Sequence, residues 1–122
     1  MSTLKVTNIQ ATGETASRAV SGVAAVWVQL NGSTFAVADS FNVSSADDNG
    51  TGDYDVNYTN SMDNNTYAVP AGCNGDGSGY NRAISINAVA TGSHDIITFI
   101  TDTANIKSDL DIISTSVFGD LA

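Results

Sequence analysis

Apolar residues recur at every second position in short runs, and this period constrains the fold more than any other feature of the chain. In Val23 to Leu30, VAAVWVQL, the side chains of Val26, Val28 and Leu30 share one face, while Ala25, Trp27 and Gln29 share the other. Tyr54, Val56 and Tyr58 alternate in the same way with Asp53, Asp55 and Asn57. Shorter runs pair Leu4 with Val6, Phe35 with Val37, Phe41 with Val43, Tyr67 with Val69, Ile84 with Ile86 and Ile97 with Phe99, and DLDIISTSVF closes the series. Successive side chains of a strand point to opposite faces, so a period of two marks a half-buried strand. Nearly every run is bounded by Gly, Asn, Asp or Ser, which favour turns through positive φ or local side-chain hydrogen bonds. The predicted fold is all-β: a single antiparallel β-sandwich with jelly-roll-like or immunoglobulin-like topology.

A chain of 122 residues has room for one domain with one modest core. Residues 1–22 read as an N-terminal strand or attachment arm followed by a linker, and residues 23–122 as the sandwich. SRAVSGVAAV has the alanines of a helix, but Gly22 and its valines count against one. Glu14 is the one glutamate among 13 acidic residues. The aspartates, with abundant Asn, Ser and Thr, bond to nearby backbone and favour turns over helix interiors.

Charge narrows the function classes. Thirteen acids against four basic residues give a formal net charge of −9. Lys5, Arg18, Arg82 and Lys107 are scattered singly, whereas phosphate backbones are bound by clustered cations. Nucleic acid is therefore not an expected partner. No apolar run approaches the roughly 20 residues that span a bilayer, and MSTLKVTNIQ lacks the charged start and apolar stretch of a secretory leader, so no membrane insertion is expected.

DDNGTGD, residues 47–53, invites three readings. A helix-flanked calcium loop needs oxygen ligands at its first, third and fifth positions and an acid at the twelfth. Counting from Asp48, Gly50 and Gly52 fall at the third and fifth; counting from Asp47, Tyr58 falls at the twelfth. A phosphate cradle needs a cation after its glycines, and none follows. A hairpin turn explains the residues directly, with Asn49 and Gly50 supplying positive φ and Gly52 a second left-handed position. Asn49, Gly50 and Gly52 are thus a structural turn, and no metal or cofactor is expected.

His94-Asp95 with a nearby serine would suggest a hydrolytic triad, but adjacent strand residues point to opposite faces. No catalytic residues are assigned. His94 alone reads as a pH-responsive surface group or a metal ligand. Cys73, the only cysteine, reads as a small buried or half-buried filler, and Trp27 as a core or interface anchor. GCNGDGSGYNR, residues 72–82, is either a plain connector or a recognition loop, because long polar loops on a rigid scaffold concentrate binding residues. In the second reading Asn74, Asp76, Tyr80 and Arg82 are the receptor-contact residues, suited to a host surface glycan.

Residues 25–69 also carry a family resemblance. Trp27-Val28, Phe41-Asn42-Val43-Ser44-Ser45, the run from Asp48 to Tyr54, Val56-Asn57-Tyr58-Thr59, Met62 and Tyr67-Ala68-Val69 resemble a module of tailed-phage structural proteins, found especially at tail-fibre ends. The opening LKVTNIQ is similar to the stretch that often precedes the module, so the resemblance runs from about residue 4 to 69. Gln29-Leu30 departs from the Asn-Phe usual there. The resemblance implies a virion structural protein made in the host cytoplasm: a tail-fibre or fibre-tip module for host attachment, homotrimeric, docked to other virion proteins through residues 2–10. The alternative is a capsid decoration, cement or head-fibre protein. Neither is an enzyme. Ile96, Ile100, Ile113 and Val117, taken as opposite the first-choice core, are the expected trimer seam.

Overall fold

The computed structural model of the protein describes residues 2–9, 18–19, 23–74, 81–101 and 106–122. In chain order the strands are β1 (Asn8–Ile9), β2 (Arg18–Ala19), β3 (Ala24–Asn31), β4 (Ala36–Phe41), β5 (Val43–Gly50), β6 (Asp53–Tyr58), β7 (Ala71–Asn74), β8 (Arg82–Ala90), β9 (Ser93–Ile100), β10 (Ile106–Lys107) and β11 (Ile112–Phe118). Among the described residues there is no helix, hence none long and apolar enough to cross a membrane. β1 and β2 pair with each other. One antiparallel sheet runs β4-β3-β11-β7 and the other β5-β6-β9-β8. β10 continues the second sheet beside β9: β6 stops at the Asp53–Ile97 pair, and Ile106 takes up pairing at Ile100. The long strands thus form a β-sandwich within residues 24–118.

The central strands of each sheet supply the core. Val26, Val28 and Leu30 from β3 and Ile113 and Val117 from β11 face Tyr54, Val56 and Tyr58 from β6 and Ile96 from β9. Met62 and Leu110 close the two ends. Each such side chain, fully buried, contributes about 1.5–3 kcal/mol. The alternation of β6, and of β3 from Val26 to Leu30, is the one read from the sequence, and Asp53, Asp55 and Asn57 lie on the outer face of β6; Ala25, read on the face of Trp27 and Gln29, is instead buried with the core.

β9 is turned the other way from the expectation. His94, Ile96 and Thr98 face the core, and Ile97 and Phe99 lie half-buried on the outer face. Ile96, Ile113 and Val117 are fully buried within the subunit, so they form no seam between subunits. Apolar content alone pointed to Ile97 and Phe99. The inward face of β9 instead carries two polar side chains whose hydrogen bonds are satisfied inside the sandwich.

The β4–β5 junction also corrects the reading. Phe41 and Val43 do not continue one face, because Asn42, at φ 58°, turns the chain from one sheet into the other. Its side chain holds the corner: Nδ2 donates to the carbonyls of Ala25 (3.2 Å) and Asn60 (3.1 Å), and Oδ1 accepts from the Asn60 backbone N–H (2.8 Å) and Nδ2 (3.0 Å). Asn tolerates left-handed backbone better than most residues, and here it also satisfies groups that the corner leaves without a strand partner.

The pairing register gives the sandwich two distinct ends. Val23 leads into β3 at one end, with the Asn42 corner and the Thr91-Gly92 turn. The other end carries the Gly32–Phe35 turn, the Thr51-Gly52 turn, the end of β7 at Asn74 opposite Ile112, and the start of β8 at Arg82 opposite Ile100.

Candidate functional site

At that second end, the β5–β6 turn is built around glycine. Gly50 has φ 128° and Gly52 φ 64°; Asn49, expected to share the positive φ, does not, and as a strand residue of β5 it donates from Nδ2 to Asp55 Oδ2 at 2.9 Å. A Cβ on Gly52 would lie 2.4 Å from the Thr98 carbonyl oxygen and 2.7 Å from the Ser108 nitrogen. Asp109 fixes the turn from outside: its Oδ1 accepts from the Gly52 N–H (2.7 Å) and from the Tyr54 hydroxyl (2.6 Å). Burial and then the Asp109 carboxylate push the Tyr54 hydroxyl well above the usual phenol range. Among the described residues, no group of three His, Cys, Asp or Glu side chains is placed to hold a metal ion.

Of the four expected receptor-contact residues, Asp76 and Tyr80 lie outside the described residues. Asn74 is exposed at the last position of β7, and half-buried Arg82 opens β8 with its Nη1 donating to the Asn81 carbonyl at 3.3 Å. Both flank the loop at the end of the sandwich opposite Val23. Cys73 is half-buried against the core. Burial raises its thiol pKa, and the Arg82 charge opposes the rise.

His94 is not a surface group, contrary to the sequence expectation. It is 1% exposed and bonded at both ring nitrogens: Nδ1 to the Tyr58 hydroxyl (2.8 Å) and Nε2 to Thr115 Oγ1 (2.9 Å). The proton directions follow from two constraints, the carbonyls that Tyr67 meets and the neutrality that burial imposes on His94. The Tyr67 hydroxyl meets the carbonyls of Ala90 (2.7 Å) and Ser93 (2.9 Å), and a carbonyl only accepts. Tyr67 therefore donates there and accepts from Tyr58 (3.0 Å). Tyr58 in turn accepts from His94 Nδ1–H, and Thr115 donates to Nε2. The imidazole is neutral with its proton on Nδ1. Burial lowers its pKa to about 4, with Asp55 opposing. Burial and the bond to Tyr67 push the Tyr58 hydroxyl far above the usual phenol range. Each polar group in this chain is satisfied by the next, which makes it a packing device joining the two sheets.

The outer faces differ chemically. On the β5-β6-β9 side, Asp47 pairs with Asp55 and Asp55 with Asp95, a row of carboxylates across three neighbouring strands. Like charges directly opposite repel, and asparagine amides are interleaved: Asn57 Nδ2 donates to Asp47 (2.7 Å), Asn49 Nδ2 to Asp55 (2.9 Å) and Asn87 Nδ2 to Asp95 (2.5 Å). On the β4-β3-β11 side, Trp27 lies opposite both Phe41 and Ser116, and Gln29 opposite both Asp39 and Ser114. Beside Phe41, an open groove of about 420 Å³ is lined by Val23, Ala24, Ala25, Gly119, Asp120 and Leu121. Neither face is legible in the sequence, because each depends on which strands become neighbours.

Comparison of the chain with protein-family models, with curated proteins and with solved structures returned no match.

Proposed function

We propose that this chain is a bacteriophage virion structural protein, a homotrimeric tail-fibre or fibre-tip module that mediates host attachment. The observation that carries the reading is the polarity of the sandwich. The arm enters at Val23, and the glycine-rich segment between Asn74 and Arg82 leaves from the opposite end. Eight residues of β3 at about 3.4 Å each separate the two. A module that docks by residues 2–10 and touches a cell with its far loops needs that arrangement. The resemblance of residues 4–69 to fibre-end modules points the same way. β3 and β11, the first and last long strands, lie side by side at the centre of one sheet.

Asn74, Asp76, Tyr80 and Arg82 are the proposed contact with a host surface glycan, where Tyr stacks on a sugar ring and the amide, carboxylate and guanidinium hydrogen-bond its hydroxyls. Purified protein is expected to bind host cells and compete with phage adsorption. Tyr80→Ala and Arg82→Ala are expected to reduce that competition at least tenfold. Unchanged competition would remove the loop from the reading. Binding to stripped capsids instead of cells would make the protein a capsid decoration protein.

A further inference from the structure

The outer face of the four-stranded sheet is unlike the rest of this acidic molecule. Trp27 and Phe41 are direct cross-strand partners on β3 and β4, yet they remain 37% and 54% exposed. Leu121 and Val23 are also exposed, and with Phe41 they border the apolar groove. Large aromatic side chains contribute most when desolvated, and a contiguous exposed apolar patch marks an interaction surface. The polar positions between them are neutral: Gln29, Ser114 and Ser116. Asp39 is the one carboxylate on this face among the described residues of β3, β4, β7 and β11, and Asp120 is the one carboxylate lining the groove.

We infer that this face, centred on Trp27 and Phe41, is the seam at which copies of the chain pack against one another. The inference rests on the homotrimeric reading above and names its surface. Charge selects the occupant. Each copy carries a net charge of −9, and the opposite face presents the Asp47-Asp55-Asp95 row. Copies meeting there would press carboxylates together, and like-charge juxtaposition across an interface costs several kcal/mol. The Trp27 face lets two acidic chains approach with nearly all their carboxylates left in water. A cationic partner would be drawn to the acidic row instead. A sugar needs several convergent polar groups in its pocket, and the groove is lined almost entirely by apolar residues. Size is also adequate. Eight residues of β3 at about 3.4 Å and four strands about 4.8 Å apart give a footprint of about 500 Å². The groove rim extends that footprint toward the ~800 Å² per partner of a standard interface.

Sedimentation velocity on the full chain, from about 1 to 100 μM, tests this, with Trp27→Glu, Phe41→Glu and the opposite-face control Asp55→Lys. The wild type and Asp55→Lys are expected at three times the 12.5 kDa chain mass. Each glutamate variant is expected to dissociate at least 100-fold more readily while keeping the β-sheet circular dichroism of the wild type. Trp27 emission in the wild type gives a readout without substitution: it is expected to shift to the red on dilution below that range, where the trimer dissociates. A wild-type trimer that both glutamate variants retain, with Trp27 emission indifferent to dilution, would overturn the seam and leave the trimer standing. A 12.5 kDa wild type at every concentration would overturn the trimer reading itself.

Discussion

Acid is expected to destabilise the fold through His94 as pH falls from 6.5 toward 4. The imidazole is neutral in the folded chain, with a pKa lowered by burial from 6.5 to about 4. In the unfolded chain it takes a proton as pH falls through 6.5. Between those values the unfolded state binds more protons, so stability is full above pH 6.5 and declines as pH drops toward 4. At about 1.4 kcal/mol for each pH unit, the complete loss is about 3 kcal/mol, of which about 2 kcal/mol has appeared by pH 5. The geometry gives the same direction. A proton on Nε2 would face Thr115 Oγ1, which donates to that nitrogen when the imidazole is neutral. Thr115 would have to reverse inside the sandwich, and its hydroxyl proton would need a new acceptor.

Urea unfolding at fixed protein concentration between pH 7.5 and 5 measures the loss, and holding the concentration fixed removes the mass-action contribution of assembly. His94→Gln is less stable at pH 7.5, because the Tyr58–Thr115 bridge is altered, but it is expected to lack this pH slope. A wild type with no loss by pH 5, or a His94→Gln variant with the wild-type slope, would refute the reasoning.

Three further substitutions test other parts of the fold. Asn42→Ala removes the four hydrogen bonds of the β4–β5 corner and puts alanine at a left-handed position; the expected cost is about 2–4 kcal/mol in urea unfolding. Gly52→Ala drives a methyl group against the Thr98 carbonyl at φ 64°, with an expected cost of about 2–3 kcal/mol by the same assay. Asp55→Asn removes the middle charge of the acidic row and keeps an oxygen to accept from Asn49. It is expected to stabilise the protein by about 0.5 kcal/mol in low salt, and by less in 0.5 M salt.

The sandwich was legible where a strand lies at the centre of a sheet with one face on the core. β3 and β6 show clean alternation because Val26, Val28 and Leu30, and Tyr54, Val56 and Tyr58, are buried, while Trp27 and Gln29, and Asp53, Asp55 and Asn57, keep contact with water. β9 misled because both of its faces carry large apolar residues, Ile96 and Ile100 on one and Ile97 and Phe99 on the other. The choice between Ile96 and Ile97 was made by His94 and Thr98, whose partners are Thr115 on β11 and the Ser108 carbonyl just after β10. A histidine flanked by alternating apolar residues gives no local sign that two hydroxyls await it. The corner at Asn42 was hidden too, since Phe41-Asn42-Val43 reads as a continuous strand until the left-handed backbone of Asn42 separates the two sheets. The Asp47-Asp55-Asp95 row and the Trp27–Phe41 pair belong to register, which a single sequence does not specify.

The central claim is that this β-sandwich is a virion attachment module. It is tested most directly by immunogold labelling of intact virions with an antibody raised against the chain. Gold at the tail tip or along the fibres is the predicted result. Gold over the capsid, or no gold on virions at all, would contradict the account.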